Sequence, residues 1–151
     1  MIATGSRLEL DLVDTKGEHF DLARYSGSEA VFVYFMRAIL CMQCNAHART
    51  LAAHAGDFRE RGVEVVIVIP DTIDAAANWK AKKSIPFPVV VSDGADAHAS
   101  VGLMRKVFGA VQQSGGILID RAGIVRYTHS ATNPGGSYDA AALDEAIAAL
   151  G

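Results

Sequence analysis

Cys41 and Cys44 are the only two cysteines in the chain, three positions apart. Such a pair can open and close one disulfide, a two-electron couple, or supply two ligands of a metal site. The surrounding residues favour the first. Val31-Phe32-Val33-Tyr34-Phe35 is an unbroken run of β-branched and aromatic side chains, which predicts a strand buried on both faces. Cys41, Cys44, Ala48, Leu51, Ala55 and Phe58 then recur at steps of three and four, the apolar stripe of a helix. Both cysteines open that helix, where free backbone N–H groups and the positive end of the dipole favour thiolate over thiol. Such settings bring a cysteine pKa from about 8.5 into the range of about 3.5–7.5. Cys41 is expected at the mouth of the helix, within reach of a partner, and Cys44 one turn deeper against the core. That division makes Cys41 the attacking sulfur and Cys44 the resolving one.

Other side chains join this pair as candidates. Arg37 is read as a cation that steadies a thiolate or an acidic substrate end, or else as a solvated loop charge. Ser114-Gly115-Gly116 is read as a substrate-binding stretch, because two glycines let a backbone come close to a reacting sulfur. A zinc site wants four ligands, and only His47 is well placed to add to the two cysteines. His47, His54 and His129 read as ordinary surface or structural histidines, and Trp79 as a helix anchor packed on a sheet. No metal and no cofactor is expected.

Elements that could hold the pair follow from the patterning. Leu8, Leu10 and Leu12 alternate with other residues before the turn Asp14-Thr15-Lys16-Gly17 and Phe20-Asp21-Leu22, which predicts an N-terminal β-hairpin lying over one end of the domain. The cysteine helix should run from about Cys41 to Arg61 and stop at Gly62, with Gly56 a weak point inside it. Val63 to Ile69 is a second buried strand, and strand, helix, strand at this spacing predicts a parallel, right-handed crossover. The active region then falls at the carboxyl ends of these strands, where Cys41 lies. Asp71 or Thr72 caps a helix reaching about Lys83, Val89-Val90-Val91 is a short strand, and Ala95 to Leu103 a short helix. Gly115 to Asp120 and Ile124 to His129 make a hairpin across Arg121-Ala122-Gly123, and a last helix follows Asp139.

Size and charge narrow the function further. A chain of 151 residues fits one domain, 1–151, able to bury a core without structural disulfides. With 14 basic and 17 acidic residues, no charge excess calls for nucleic acid or an anionic membrane. The first residues lack a charged and then apolar leader, so a cytoplasmic location is expected. No apolar run approaches the ~20 residues that cross a bilayer.

A hairpin, a βαβ unit with Cys-x-x-Cys at its helix start, a hairpin carrying Gly116-x-Leu118-Ile119-Asp120-x-x-Gly123-Ile124-Val125, and a final helix together resemble a thioredoxin-like fold of the peroxiredoxin type. The implied architecture is α/β, a central mixed β-sheet flanked by helices. The run from Phe35 to Cys44 resembles the F-x-R-x-x-x-C-x-x-C signature of the peroxiredoxin-like branch of the alkyl hydroperoxide reductase/thiol-specific antioxidant family. Gln113 to Gly116 and Gly123 to His129 are similar to that branch too, and the likeness spans about Leu8 to Leu150. It implies a thiol oxidoreductase that reduces hydroperoxides or disulfides through a Cys41/Cys44 couple, re-reduced by an external dithiol such as thioredoxin or glutathione. It also implies a possible homodimer. A redox-sensing or metal-binding module without turnover is the alternative. Typical peroxiredoxins carry P-x-x-x-T-x-x-C, which laid on this sequence puts the proline at Arg37, the threonine at Cys41 and the peroxidatic cysteine at Cys44. The resemblance and the helix-mouth reading thus name different attackers. The arginine of peroxiredoxins and the cis-proline of thioredoxins that precede the late strand are both absent here, with Ser114-Gly115-Gly116 in their place.

Overall fold

The structure is a computed structural model describing residues 1–106, 109 and 111–150. Its strands in chain order are β1 (Leu12–Asp14), β2 (His19–Phe20), β3 (Ala30–Phe35), β4 (Val63–Val68), β5 (Val89–Ser92), β6 (Arg105–Lys106), β7 (Val111–Gln112), β8 (Ser114–Ile119) and β9 (Val125–Ala131). The helices are α1 (Met42–Ala53), α2 (Ala55–Glu60), α3 (Ile73–Lys83), α4 (Ala97–Ser100) and α5 (Ala140–Ala148). Seven strands form one mixed sheet in the order β2-β1-β5-β4-β3-β8-β9, and β6 pairs with β7 in a separate small sheet. β3 runs parallel to β4 and β8 antiparallel to β9, as the crossover and the late hairpin predict, and β3 pairs antiparallel with β8. This is the expected thioredoxin-like, peroxiredoxin-type α/β fold.

β3 lies at the centre because both of its faces are covered. Phe32, Tyr34 and Met36 join a core with Cys44, Ala48 and Leu51 of α1, Trp79 of α3, and Leu143 and Ile147 of α5. Val31, Val33 and Phe35 point into a second core with Leu12, Phe20, Ala97 and Val101. Each such large side chain taken fully out of water contributes on the order of 1.5–3 kcal/mol.

Three expectations need correction. The N-terminal hairpin does not lie over one end; β1 pairs antiparallel with β5 and extends the sheet at its edge. The cysteine helix is not continuous, since α1 ends at Ala53 and α2 begins at Ala55, with His54 at φ −103° and ψ 15° between them. Gly56, two residues on and inside α2, lowers helix propensity next to this break, and Phe58 stays buried. Gly62 ends α2 with φ 72°, a left-handed position open to glycine. The short helix placed from Ala95 to Leu103 shrinks to α4, capped by Asp96.

Candidate active site

β3 delivers the chain to the site. Beyond its end, Met36 stays bound to the sheet through its N–H on the carbonyl of Val68, 3.0 Å away, and the chain then turns through Arg37 to Leu40 into α1. Cys41 is the N-cap of α1, and its Sγ accepts the backbone N–H of Cys44 at 3.3 Å. Asn45, one turn on, braces the loop. Its Nδ2 donates to the carbonyls of Ile39 and Cys41, both at 2.8 Å, while its Oδ1 accepts the indole N–H of Trp79 at 2.7 Å. Trp79 is therefore more than a helix anchor; it ties α3 to the turn that carries the sulfurs.

Both sulfurs are free and both are buried, Cys41 at 1% exposure and Cys44 at 0%. The expectation that Cys41 stands open at the helix mouth is overturned. As a cap its Sγ folds back over its own helix to reach the Cys44 N–H, and that geometry turns it inward. Its neighbours Leu40 and Met42 face solvent instead, 91% and 83% exposed.

The two thiols are driven apart electrostatically. Burial by itself pushes both up. At Cys41, hydrogen bonds from the Cys44 thiol and backbone N–H, together with the Arg37 guanidinium, outweigh burial and hold the thiol below its ordinary value. At Cys44, burial is reinforced by Cys41, so its pKa is raised although the Arg37 N–H works the other way. That N–H donates to Cys44 Sγ at 3.3 Å. Arg37 thus serves both sulfurs, one by its side chain and one by its backbone.

Behind Cys44 lies a polar group of residues that the sequence patterning concealed. Cys44 Sγ is 3.9 Å from Ser114 Oγ, which donates to the carbonyl of Phe35 at 2.7 Å and lies 3.4 Å from the Tyr34 hydroxyl. The Tyr34 hydroxyl is 2.8 Å from Ser137 Oγ, which donates to the carbonyl of Pro134 at 2.8 Å. Burial raises the Tyr34 phenol well above its ordinary value, so it stays protonated. His47 and His129 fasten the same turn, donating from Nε2 to the carbonyls of Pro134 at 3.1 Å and Gly136 at 2.6 Å. Of this group the sequence marked Ser114, through the two glycines that follow it, and a tyrosine within an otherwise apolar strand; their pairing with Ser137 it did not mark.

Ser114, Gly115 and Gly116 do not form an open substrate surface, for all three are buried. A Cβ on Gly115 would come within 2.1 Å of the His129 carbonyl, and one on Gly116 within 2.5 Å of the Phe32 ring. The close approach these glycines permit is to β9 and to Phe32, and of the three residues only Ser114 reaches a sulfur. Among the described residues, no three of His, Cys, Asp or Glu gather as a metal site would require, and no helix is long and apolar enough to cross a membrane.

Comparison with known proteins places this arrangement. The pattern of the AhpC/TSA family matches residues 6–128. The chain belongs to that family. It is 25% identical over 119 residues to a chloroplastic peroxiredoxin Q of Suaeda salsa, covering 79% of this chain and 55% of that protein. The chain spans about half the length of the curated relatives it matches. In structure it is similar to peroxidoxin BcpB of Mycobacterium tuberculosis, with TM-score 0.79 at 20% identity over 99% of this chain and 97% of the other. A peroxiredoxin-like protein from Aquifex aeolicus superposes with TM-score 0.82 at 13% identity, covering 99% and 88% of the two chains. Both likenesses extend over the whole AhpC/TSA domain, including the turn that carries Cys41 and Cys44.

Proposed function

We propose that this AhpC/TSA protein is a thiol-dependent oxidoreductase in which Cys41 attacks and Cys44 resolves. The observation that carries the reading is the place of Cys41 as the cap of α1, where its Sγ accepts the Cys44 N–H at 3.3 Å; the donors there favour its thiolate, whereas burial favours the Cys44 thiol. The Cys41 thiolate attacks the O–O bond of a hydroperoxide, giving a sulfenic acid and releasing the alcohol or water once a proton is added. Alternatively it attacks an S–S bond, giving a mixed disulfide and a free thiolate. Cys44 then displaces hydroxide, leaving as water, or the second thiolate, and closes Cys41–Cys44. An external dithiol such as thioredoxin, or two molecules of glutathione, returns two electrons and leaves as a disulfide. The reductant approaches across the exposed Leu40 and Met42, which flank Cys41. We place the cycle in the reducing cytoplasm, where such a couple is kept turning over.

The family pattern would make Cys44 the attacker, yet the threonine that pattern asks for is Cys41 itself, and Ser114-Gly115-Gly116 stands where its late arginine would. Mass mapping of both sulfurs after one equivalent of hydroperoxide or of a small disulfide tests the reading. The expected product is an internal Cys41–Cys44 disulfide, with the adduct trapped on Cys41 in Cys44→Ser. No loss of thiol titre with either oxidant, and no turnover with a thioredoxin or dithiothreitol supply, would overturn it.

A further inference from the structure

His98 takes no part in the cycle just described, yet it is completely buried. It sits in α4, whose cap Asp96 accepts the His98 backbone N–H at 3.0 Å, and its ring meets Phe35 edge-on at 5.3 Å. Its Nε2 is 2.7 Å from the carbonyl oxygen of Met36. A carbonyl only accepts, so Nε2 carries the proton and Nδ1 presents a lone pair. Among the described residues that Nδ1 has no partner. A buried acceptor left unpaired is rare in a finished fold and lowers stability, which points to the bond made by the other nitrogen as the reason the ring is there.

The Met36 carbonyl belongs to the same peptide group as the Arg37 N–H, and that N–H donates to Cys44 Sγ at 3.3 Å. One planar amide therefore bridges the two faces of the sheet, with His98 on its oxygen and the resolving sulfur on its hydrogen. A donor on the carbonyl draws electron density through the conjugated amide and sharpens the N–H as a donor. It also fixes the plane of the amide, and hence the direction of the N–H.

We propose that His98 is a positioning residue for Cys44, acting through the Met36–Arg37 peptide to hold and strengthen the hydrogen bond that favours the Cys44 thiolate at the resolving step. This rests on the resolving role given to Cys44. The step it serves is displacement on sulfur, in which Cys44 gives up its proton, forms the S–S bond to Cys41 and expels hydroxide or a thiolate. The charged groups that act on the ring are Asp96, on the turn before its own helix, and Arg105 from the neighbouring small sheet. Those on the sulfur are Cys41 and Arg37.

The test reads Cys44 without turnover, by NMR titration of isotope-labelled cysteine in a Cys41→Ser background. His98→Phe keeps an aromatic ring but loses the donor, and is expected to move the Cys44 titration upward by about one pH unit. His98→Gln, which can donate to the same carbonyl, is expected to restore it. A folded His98→Phe protein with an unmoved Cys44 titration, or no recovery in His98→Gln, would overturn the proposal. Should His98→Phe not fold, the long-range proton–nitrogen NMR spectrum of the unmodified protein decides. It should show the Nε2–H tautomer of His98, and a bare Nε2 would overturn the proposal. Neither readout depends on hydroperoxide or disulfide reduction, so absence of turnover would remove the proposed function and leave this result standing.

Discussion

Cys41 and Cys44 share one helix turn and are equally closed to water, yet they occupy opposite environments. Around Cys41 gather donors: a cap N–H, the neighbouring thiol and a guanidinium. Around Cys44 lies a dry wall of β3 and β8 relieved by a single backbone N–H and the Ser114 hydroxyl. Burial alone does not rank two thiols; the donors aimed at each sulfur do. The peroxiredoxin pattern would make Cys44 the attacker, whereas our proposal, from the donors around each sulfur, makes it Cys41.

Substitutions can break this contrast or sharpen it, and the largest effect belongs to the sulfurs. Cys41→Ser should lower turnover by on the order of a thousandfold or more, since no nucleophile is left at the cap. Cys44→Ser should still react once and then stall, as single-turnover kinetics with mass detection would show. Next comes the wall behind Cys44. Gly115→Ala forces a Cβ against the His129 carbonyl in β9, a backbone atom with little room to yield, and should cost about 3 kcal/mol or more in urea unfolding.

Arg37→Met separates the two sulfurs most cleanly. It removes the guanidinium near Cys41 but keeps the N–H that serves Cys44. The reacting form is the thiolate and the Cys41 pKa is lowered in the fold, so attack slows as pH falls through that lowered value. In the variant the whole rate profile should move about one pH unit higher while the Cys44 titration stays in place. Smallest is Tyr34→Phe. Ser114 keeps the Phe35 carbonyl and Ser137 keeps that of Pro134, so the loss should be about 1 kcal/mol in urea unfolding, with little change at Cys41.

Much of this was legible in the sequence for local reasons. Period and propensity mark β3, Thr72 and Asp139 cap α3 and α5 as side-chain chemistry dictates, and the step of three places both cysteines on the first turn of α1. What stayed hidden depends on contacts distant in the chain. Tyr34 meets Ser137 across 103 residues and Ser114 across 80, and His98 meets Met36 across 62; no periodicity encodes such pairings. The burial of Cys41 was concealed differently. Leu40 and Met42 beside it are apolar yet face solvent, because the cap turns the cysteine inward and its neighbours outward. The two glycines after Ser114 were legible as a close approach, but which group approaches is set by the register of β8 against β3 and β9.

The contrast between the sulfurs is open to one direct measurement, a site-resolved NMR titration of both cysteines in the reduced, unmodified protein. Cys41 should lose its proton first, below the ordinary thiol range, and Cys44 should follow above it. Cys44 titrating first, or the two titrating together at the ordinary value, would contradict the assignment of attacker and resolver.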